Sequence, residues 1–190
     1  EPADSVGTAN IAFTNAGKFS SAAKAVATTT GGGAEAYADA RGVIQSAHGQ
    51  AGALSFNNTG TFDIVAGADA KAPTDQQATA DADAYGYVAY VQGVPLDFVN
   101  NASFTVQAMA NGHTLNAEGE VASGYVSAYA AGISIEGYGE NRNTDLSIVN
   151  AGTLAATASA IDANAAENTQ SNNVYAAADA ISLSGPVRNA

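Results

Sequence analysis

Apolar and small residues alternate with polar ones along most of this chain, and the alternation is organised by a repeated string. It occurs as Ile11-Ala-Phe-Thr-Asn-Ala-Gly-Lys-Phe19, Leu54-Ser-Phe-Asn-Asn-Thr-Gly-Thr-Phe62, Leu96-Asp-Phe-Val-Asn-Asn-Ala-Ser-Phe104 and Leu146-Ser-Ile-Val-Asn-Ala-Gly-Thr-Leu154. Each copy has two apolar residues two apart, then Asn, then a large apolar residue four further on. The Asn positions 15, 58, 100 and 150 are 43, 42 and 50 residues apart. An alanine tract with a period of two follows each string: Ala23, Ala25 and Ala27, then Ala66 to Ala72, then Ala108 and Ala110, then Ala158 and Ala160. The residues between are polar or small, such as Lys24, Asp69, Lys71 and Ser159. On a helix they would fall on every side; on a strand they share one face. The pattern therefore predicts strands, against alanine's weak intrinsic preference for helix.

A second alternating tract fills the remainder of each repeat: Ala34–Gly42, Ala78–Gly86, Ser123–Gly132 and Tyr175–Ala180. Apolar residues then return at Val43-Ile44, Tyr87-Val88, Ile133 with Ile135, and Ile181 with Leu183. Each repeat thus holds two similar halves of about 20–25 residues, each expected to form one coil of a solenoid. A lone coil cannot bury its inward face; stacked coils pair strand on strand and pile their inward residues into ladders. The expectation is an all-β, single-stranded parallel β-helix, a single segment over 1–190 with repeats near 11–53, 54–95, 96–145 and 146–185 and partial repeats at both ends. Two coils per repeat of 42–50 residues would give roughly eight coils, about 35–40 Å in length at ~4.8 Å per coil.

The inward ladder is expected to comprise Phe13, Phe19, Phe56, Phe62, Phe98, Phe104, Ile148 and Leu154. Asn15, Asn58, Asn100 and Asn150 are expected to stack at a turn, because Asn tolerates a left-handed backbone and bonds its neighbours. Inward alanines predict a thin, flattened cross-section, thickened by Phe, Ile and Leu near the Asn turn. Val187–Ala190 matches Phe13–Ala16 as the start of a fifth repeat, and Ala3–Gly7 matches Ala38–Gly42 as the end of an earlier one. The match implies a piece of a longer array, or a subunit whose ends are covered by neighbours.

Composition narrows the functional classes. Charged residues are 13 %, Gly and Ala dominate, and the net charge of −12 comes from 18 acidic and 6 basic residues. Such a surface repels nucleic acid and anionic membranes. The absence of Cys removes thiolate metal sites and thiol nucleophiles. No apolar run reaches the roughly 18 residues of a membrane span, so no membrane insertion of this segment is expected.

The strings "IVNAGTL", "FTNAGKF" and "FNNTGTF" resemble the Asn-x-Gly-Thr-apolar repeats of bacterial autotransporter passengers and filamentous surface adhesins. The resemblance covers essentially the whole chain through the four copies. It implies a right-handed parallel β-helix displayed outside a Gram-negative cell and serving in adhesion, aggregation or matrix formation, and it transfers no catalytic residue. The long repeat, the high alanine content and the lack of an outer-membrane barrel depart from that family.

Candidate chemistry is sparse. Asp39, Asp83 and Asp179 recur at matching places of the second tract, with Tyr129 in the third repeat, and Asp81 lies two residues before Asp83. Like charges on one face are weak candidates for Ca²⁺, which takes six to eight oxygens; a solvated outward row is the plainer reading. All eight Tyr lie in second halves, and Tyr37, Tyr85, Tyr125, Tyr129 and Tyr175 make a candidate contact face for a glycan or a neighbouring fibre. His48 and His113 sit at non-equivalent positions and have no ligand spacing. The function expected is structural and adhesive, without catalysis or cofactor: a rod-like segment of an extracellular bacterial surface fibre. It would contact itself end-to-end or laterally, or a surface glycan or host matrix ligand. The alternatives are a β-helical carbohydrate-active enzyme, a tailspike-like glycan binder and a calcium-dependent binding module.

Overall fold

In a computed structural model the described residues are 8–49, 51–73, 76–114, 124–138, 144–163 and 173–189. They are all-β, as the period of two requires. In chain order the strands are β1 (Thr8–Asn15), β2 (Lys18–Thr28), β3 (Ala34–His48), β4 (Ala51–Asn58), β5 (Thr61–Ala72), β6 (Ala78–Gln92), β7 (Leu96–Asn100), β8 (Ser103–Thr114), β9 (Tyr125–Gly137), β10 (Thr144–Asn150), β11 (Thr153–Asp162), β12 (Asn173–Ser184) and β13 (Val187–Asn189). They form three sheets, ordered β1-β4-β7-β10-β13 (sheet A), β2-β5-β8-β11 (sheet B) and β3-β6-β9-β12 (sheet C). Every pairing is parallel. The chain visits A, B and C in turn and returns to A one strand further on.

This corrects the expectation of two coils per repeat. Phe13 pairs directly with Phe56, and Phe56 with Phe98, so one repeat makes one circuit. Four circuits at ~4.8 Å span about 19 Å, half the expected length. The two halves look alike in sequence because both carry alternating alanine, but they cannot stack on one another. The first half turns a corner at its Asn and occupies two sheets; the second occupies one. Alanines of sheet B therefore face those of sheet C across the core instead of lying on top of them. Ala66, Ala68, Ala70 and Ala72 on one side, and Ala78, Ala80, Ala82 and Ala84 on the other, are at most 2 % exposed.

The ends also differ from expectation. β13 does add a fifth strand to sheet A, but Val187 pairs with Thr144 and Asn189 with Leu146, four places short of the Ile148–Asn150 match. The match of Ala3–Gly7 lies outside the described residues.

The core is a wedge. Its thin part is the alanine layer between sheets B and C. Its thick part lies where sheet A, the start of sheet B and the end of sheet C converge. There Phe13, Phe56 and Phe98 stack with centroids 5.2 and 4.8 Å apart, and Phe19, Phe62 and Phe104 stack at 4.6 and 4.4 Å. The two columns meet edge-on at 5.5–5.8 Å. Ile148 and Leu154 continue them in the fourth circuit and are partly buried. Each buried ring contributes roughly 2–3 kcal/mol from area, and the edge and offset pairs add about 0.5–1.5 kcal/mol each.

Between the columns runs the Asn ladder. Asn15 Nδ2 donates to Asn58 Oδ1 at 2.8 Å, Asn58 to Asn100 at 2.7 Å, and Asn100 to Asn150 at 2.7 Å. The second hydrogen of each donor goes to the backbone past the corner: Thr61 O, Ser103 O and Thr153 O at 2.9, 3.1 and 2.8 Å. A side chain on a turn thus ties circuit to circuit and sheet A to sheet B.

A second ladder was not anticipated. Sheet C bends at Gly42, Gly86 and Gly132. Before the bend the even residues of β6 are buried, through Ala84; after it Tyr87, Ala89 and Val91 are. A Cβ at Gly86 would sit 2.5 Å from the Gly132 carbonyl and 2.6 Å from the Phe104 ring, so the bend exists only because sheet C has no side chain where sheet B has its Phe column. Gly86→Ala is accordingly expected to lower urea-unfolding stability by about 1–3 kcal/mol. Gly67→Ala, on the open outer face of sheet B with nothing within 4 Å of the new methyl, should stay within about 0.5 kcal/mol of the parent. Asn100→Ala strands the Thr153 carbonyl and both neighbouring Asn side chains. It is expected to lose at least about 2 kcal/mol in the same measurement, and more than Asn150→Ala, whose side chain is exposed.

Candidate contact face

The outward residues of sheet C before the bend form three rows across the circuits. They are Tyr37–Asp81–Ser127–Tyr175, Asp39–Asp83–Tyr129–Ala177 and Arg41–Tyr85–Ala131–Asp179. A fourth row, Glu35–Thr79–Tyr125–Asn173, borders them. All five tyrosines of the candidate face are therefore on one surface. Tyr37 and Tyr175 stand out furthest, at 60 % and 56 % exposure.

The Asp row needs correction. Asp39 and Asp83 are neighbours and Tyr129 follows them, but Asp179 lies one row over, opposite Ala131. The Ala-Asp-Ala strings suggest one alignment and the bend imposes another. Ala180 takes the place of Gly132 at the bend, so Asp179 falls where Arg41 and Tyr85 fall. Asp179 still reaches the Asp row diagonally, accepting a 3.1 Å hydrogen bond from the Tyr129 hydroxyl.

The face is a network of charges and rings. Arg41 Nη2 approaches Asp39 Oδ2 at 2.7 Å, and its Nε donates to both carboxylate oxygens at 3.0 Å. Its guanidinium lies 5.6 Å from the Tyr85 ring centre. Tyr85 and Tyr129 are 5.7 Å apart, tilted. Asp83 is half-buried beneath these groups. Burial first, then Asp81 and Asp39, raise its carboxyl above the usual 3.8, with Arg41 opposing. Burial, followed by Asp83 and Asp39, also raises the Tyr85 phenol. Burial and the bond to Asp179 push Tyr129 up to about 12.

Beyond the bend the outward parity changes, and a notch of about 170 Å³ opens between Arg41 and Tyr85 on one side and Ile44, Val88, Tyr90 and Ser134 on the other. Sequence reasoning missed this notch. The signal was present: an alanine tract ends at Gly in three repeats and apolar residues resume on odd positions. Tyr87 belongs to the same shift. It points inward, is fully buried, and donates to Gln45 Oε1 at 2.7 Å, so not every second-half tyrosine is a surface group.

For Ca²⁺ the four aspartates offer little. Asp39 is held by Arg41 and Asp179 by Tyr129, leaving Asp81 and Asp83 to supply far fewer than six oxygens. Among the described residues no three His, Asp or Glu side chains come together in ligating geometry. His48 and His113 lie apart, on sheets C and B; His48 Nε2 is 3.3 Å from Ser46 Oγ.

Compared with family models, with curated proteins and with solved structures, the chain matches none.

Asp83 yields a pH test. Its raised folded value means that the folded state binds a proton before the unfolded state does, so the charge of Asp83 opposes folding at neutral pH and is relieved as pH falls. Asp83→Asn is expected to melt higher than the parent at pH 7. The gap should close as pH falls toward 3.8, as followed by thermal melts from pH 7 to pH 4.

Proposed function

We propose that this chain is a parallel β-helix, right-handed as the repeat resemblance implies, and that it works as a structural rod in an extracellular bacterial surface fibre or adhesin. The observation that carries this reading is the strict stacking of like on like. Asn, Phe, Ala and Gly each form continuous columns through successive circuits, joined by main-chain pairing in three sheets. Such a structure resists bending and shear because each circuit is bonded to the next along three sheets. Among the described residues those that vary between circuits are spread over the outer faces, which favours repeated contacts over catalysis.

The contacts are assigned to the outer face of sheet C, where rings and hydrogen-bonding groups alternate, and to association with further copies. A glycan-binding reading is favoured by one feature, the notch at Arg41, Tyr85 and Tyr90, whose size and aromatic wall suit stacking of a single sugar ring. Electron microscopy of the parent material is expected to show thin rods, and Tyr85→Ser/Tyr125→Ser/Tyr129→Ser is expected to reduce surface adhesion or bundling several-fold without changing the β-sheet circular-dichroism spectrum. Isolated compact particles, or adhesion unaffected by the triple substitution, would contradict the proposal.

A further inference from the structure

The two broad outer faces have opposite character. Sheet C presents Glu35, Asp39, Asp81, Asp83, Glu136 and Asp179, and its only Lys or Arg among the described residues is Arg41, already paired to Asp39. Sheet B presents all three lysines of the chain, Lys18, Lys24 and Lys71, each exposed and outside any ion pair among the described residues. Asp63 and Asp69 share that face, and Asp63 is engaged by the Thr105 hydroxyl at 2.6 Å. Beside the lysines are the exposed apolar groups Val26 (62 %), Met109 (44 %) and Ile161 (53 %). A shallow hollow lies over Gly67, between Lys24, Val65, Asp69 and Met109.

The core register makes these faces match. Gly112 of sheet B lies against Val126 of sheet C, and Gly86 lies against the Phe104 ring, so the row of Ala70 faces the row of Ala80. Outward residues alternate with these, and the rows on the two outer surfaces are back to back. A second molecule translated across the thin dimension sets its sheet B rows on the sheet C rows of the first. Lys24–Gly67–Met109–Ser159 then meets Asp39–Asp83–Tyr129–Ala177. Lysine falls on aspartate, the hollow at Gly67 receives Asp83, and a thioether meets an aromatic ring. In the next row Val26 meets Tyr37 and Ile161 meets Tyr175, the most exposed apolar groups of each face. Beyond it Lys71 comes within one circuit of Glu35. One contact is unfavourable: Asp69 meets Asp81, with Lys71 beside it.

We propose that copies of this chain associate laterally, face to back, through the outer face of sheet B of one molecule and the outer face of sheet C of the next. Both faces share the ~4.8 Å spacing of stacked strands, so one good row contact repeats in phase along the axis. The contact is heterologous and generates open stacks, not closed dimers. At physiological salt the Debye length is about 8 Å, so the net charge of −12 acts weakly between centres while the face contacts persist. The inference rests on the rod reading and names the partner for its self-association.

Sedimentation velocity of the full chain in 0.15 M salt is expected to show concentration-dependent oligomers that shrink in 1 M salt. Lys24→Asp/Lys71→Asp disables the sheet B face, and Asp39→Lys/Asp83→Lys disables the sheet C face. Each double variant alone should be monomeric, and the two mixed should assemble again, because the aspartates placed on sheet B of one and the lysines placed on sheet C of the other meet with their charges exchanged. Asp69→Asn should tighten assembly, by about threefold or more for a relieved like-charge contact. Circular dichroism checks that each variant keeps its sheets. A monomeric parent at all concentrations overturns the lateral contact, including the case in which the same face instead retains a neutral oligosaccharide. So does assembly that neither double variant disturbs. In that last case, single-width rods by electron microscopy would leave the rod reading standing and remove only the lateral arrangement, whereas a helical spectrum of the parent would remove both.

Discussion

The structure depends on one constraint: each inward residue must pack against whatever stands at the same place about 4.8 Å above and below it, and at the corner and along the alanine tracts that is mostly a residue of its own kind. Parallel in-register stacking sets each inward side chain directly on its counterpart in the next circuit, so the Asn and Phe columns repeat the same residue through three or more circuits. Phe rings accept the constraint by stacking offset, and the columns of Phe13 and Phe19 show this at 4.4–5.2 Å. Asn accepts it because its amide is both donor and acceptor, so an identical neighbour is its natural partner. A column of buried carboxylates or lysines could not accept it, because like charges would meet in every circuit; the three lysines of the described strands are all outward.

Within that constraint, volume is distributed around the circuit. Sheet B begins with its largest inward residues and continues in alanine. Sheet C begins in alanine and reaches Gly where the Phe column of sheet B presses against it. The Gly bend therefore does two things. It admits the rings, and it reverses which residues of the strand face inward, so that Tyr87 and Ile133 enter the core while Tyr85, two positions before Tyr87, remains on the outer face. The notch beside Arg41 is a by-product of the same reversal, because outward side chains on the two sides of the bend diverge.

The thin alanine layer has a further consequence. It brings two outer faces close together, back to back, with their rows in a fixed relation. Charge is segregated between them, lysine on one and most of the carboxylates on the other. A monomer has no use for such segregation in its own fold, since the two faces are separated by the core. It is the feature on which the proposed face-to-back contact between copies rests.

The sequence by itself determined the strands, the inward and outward residues of most of them, and the Asn and Phe columns, because a period of two and a repeated string are local properties of the chain. The same period sets Tyr37, Tyr85, Tyr125, Tyr129 and Tyr175 on the outward rows of sheet C. What it could not decide was which segments lie on which. Two alanine tracts of equal period are indistinguishable along the sequence, so tracts that face each other across the core were read as tracts that stack, and one circuit was counted as two. Asp179 was misplaced by the same ambiguity, since Ala-Asp-Ala matches itself but only the bend at Gly132 and Ala180 sets the register. The notch and the matched outer faces were decided by tertiary structure alone, because both arise from residues brought together by the closing of the circuit around a core one alanine layer thick.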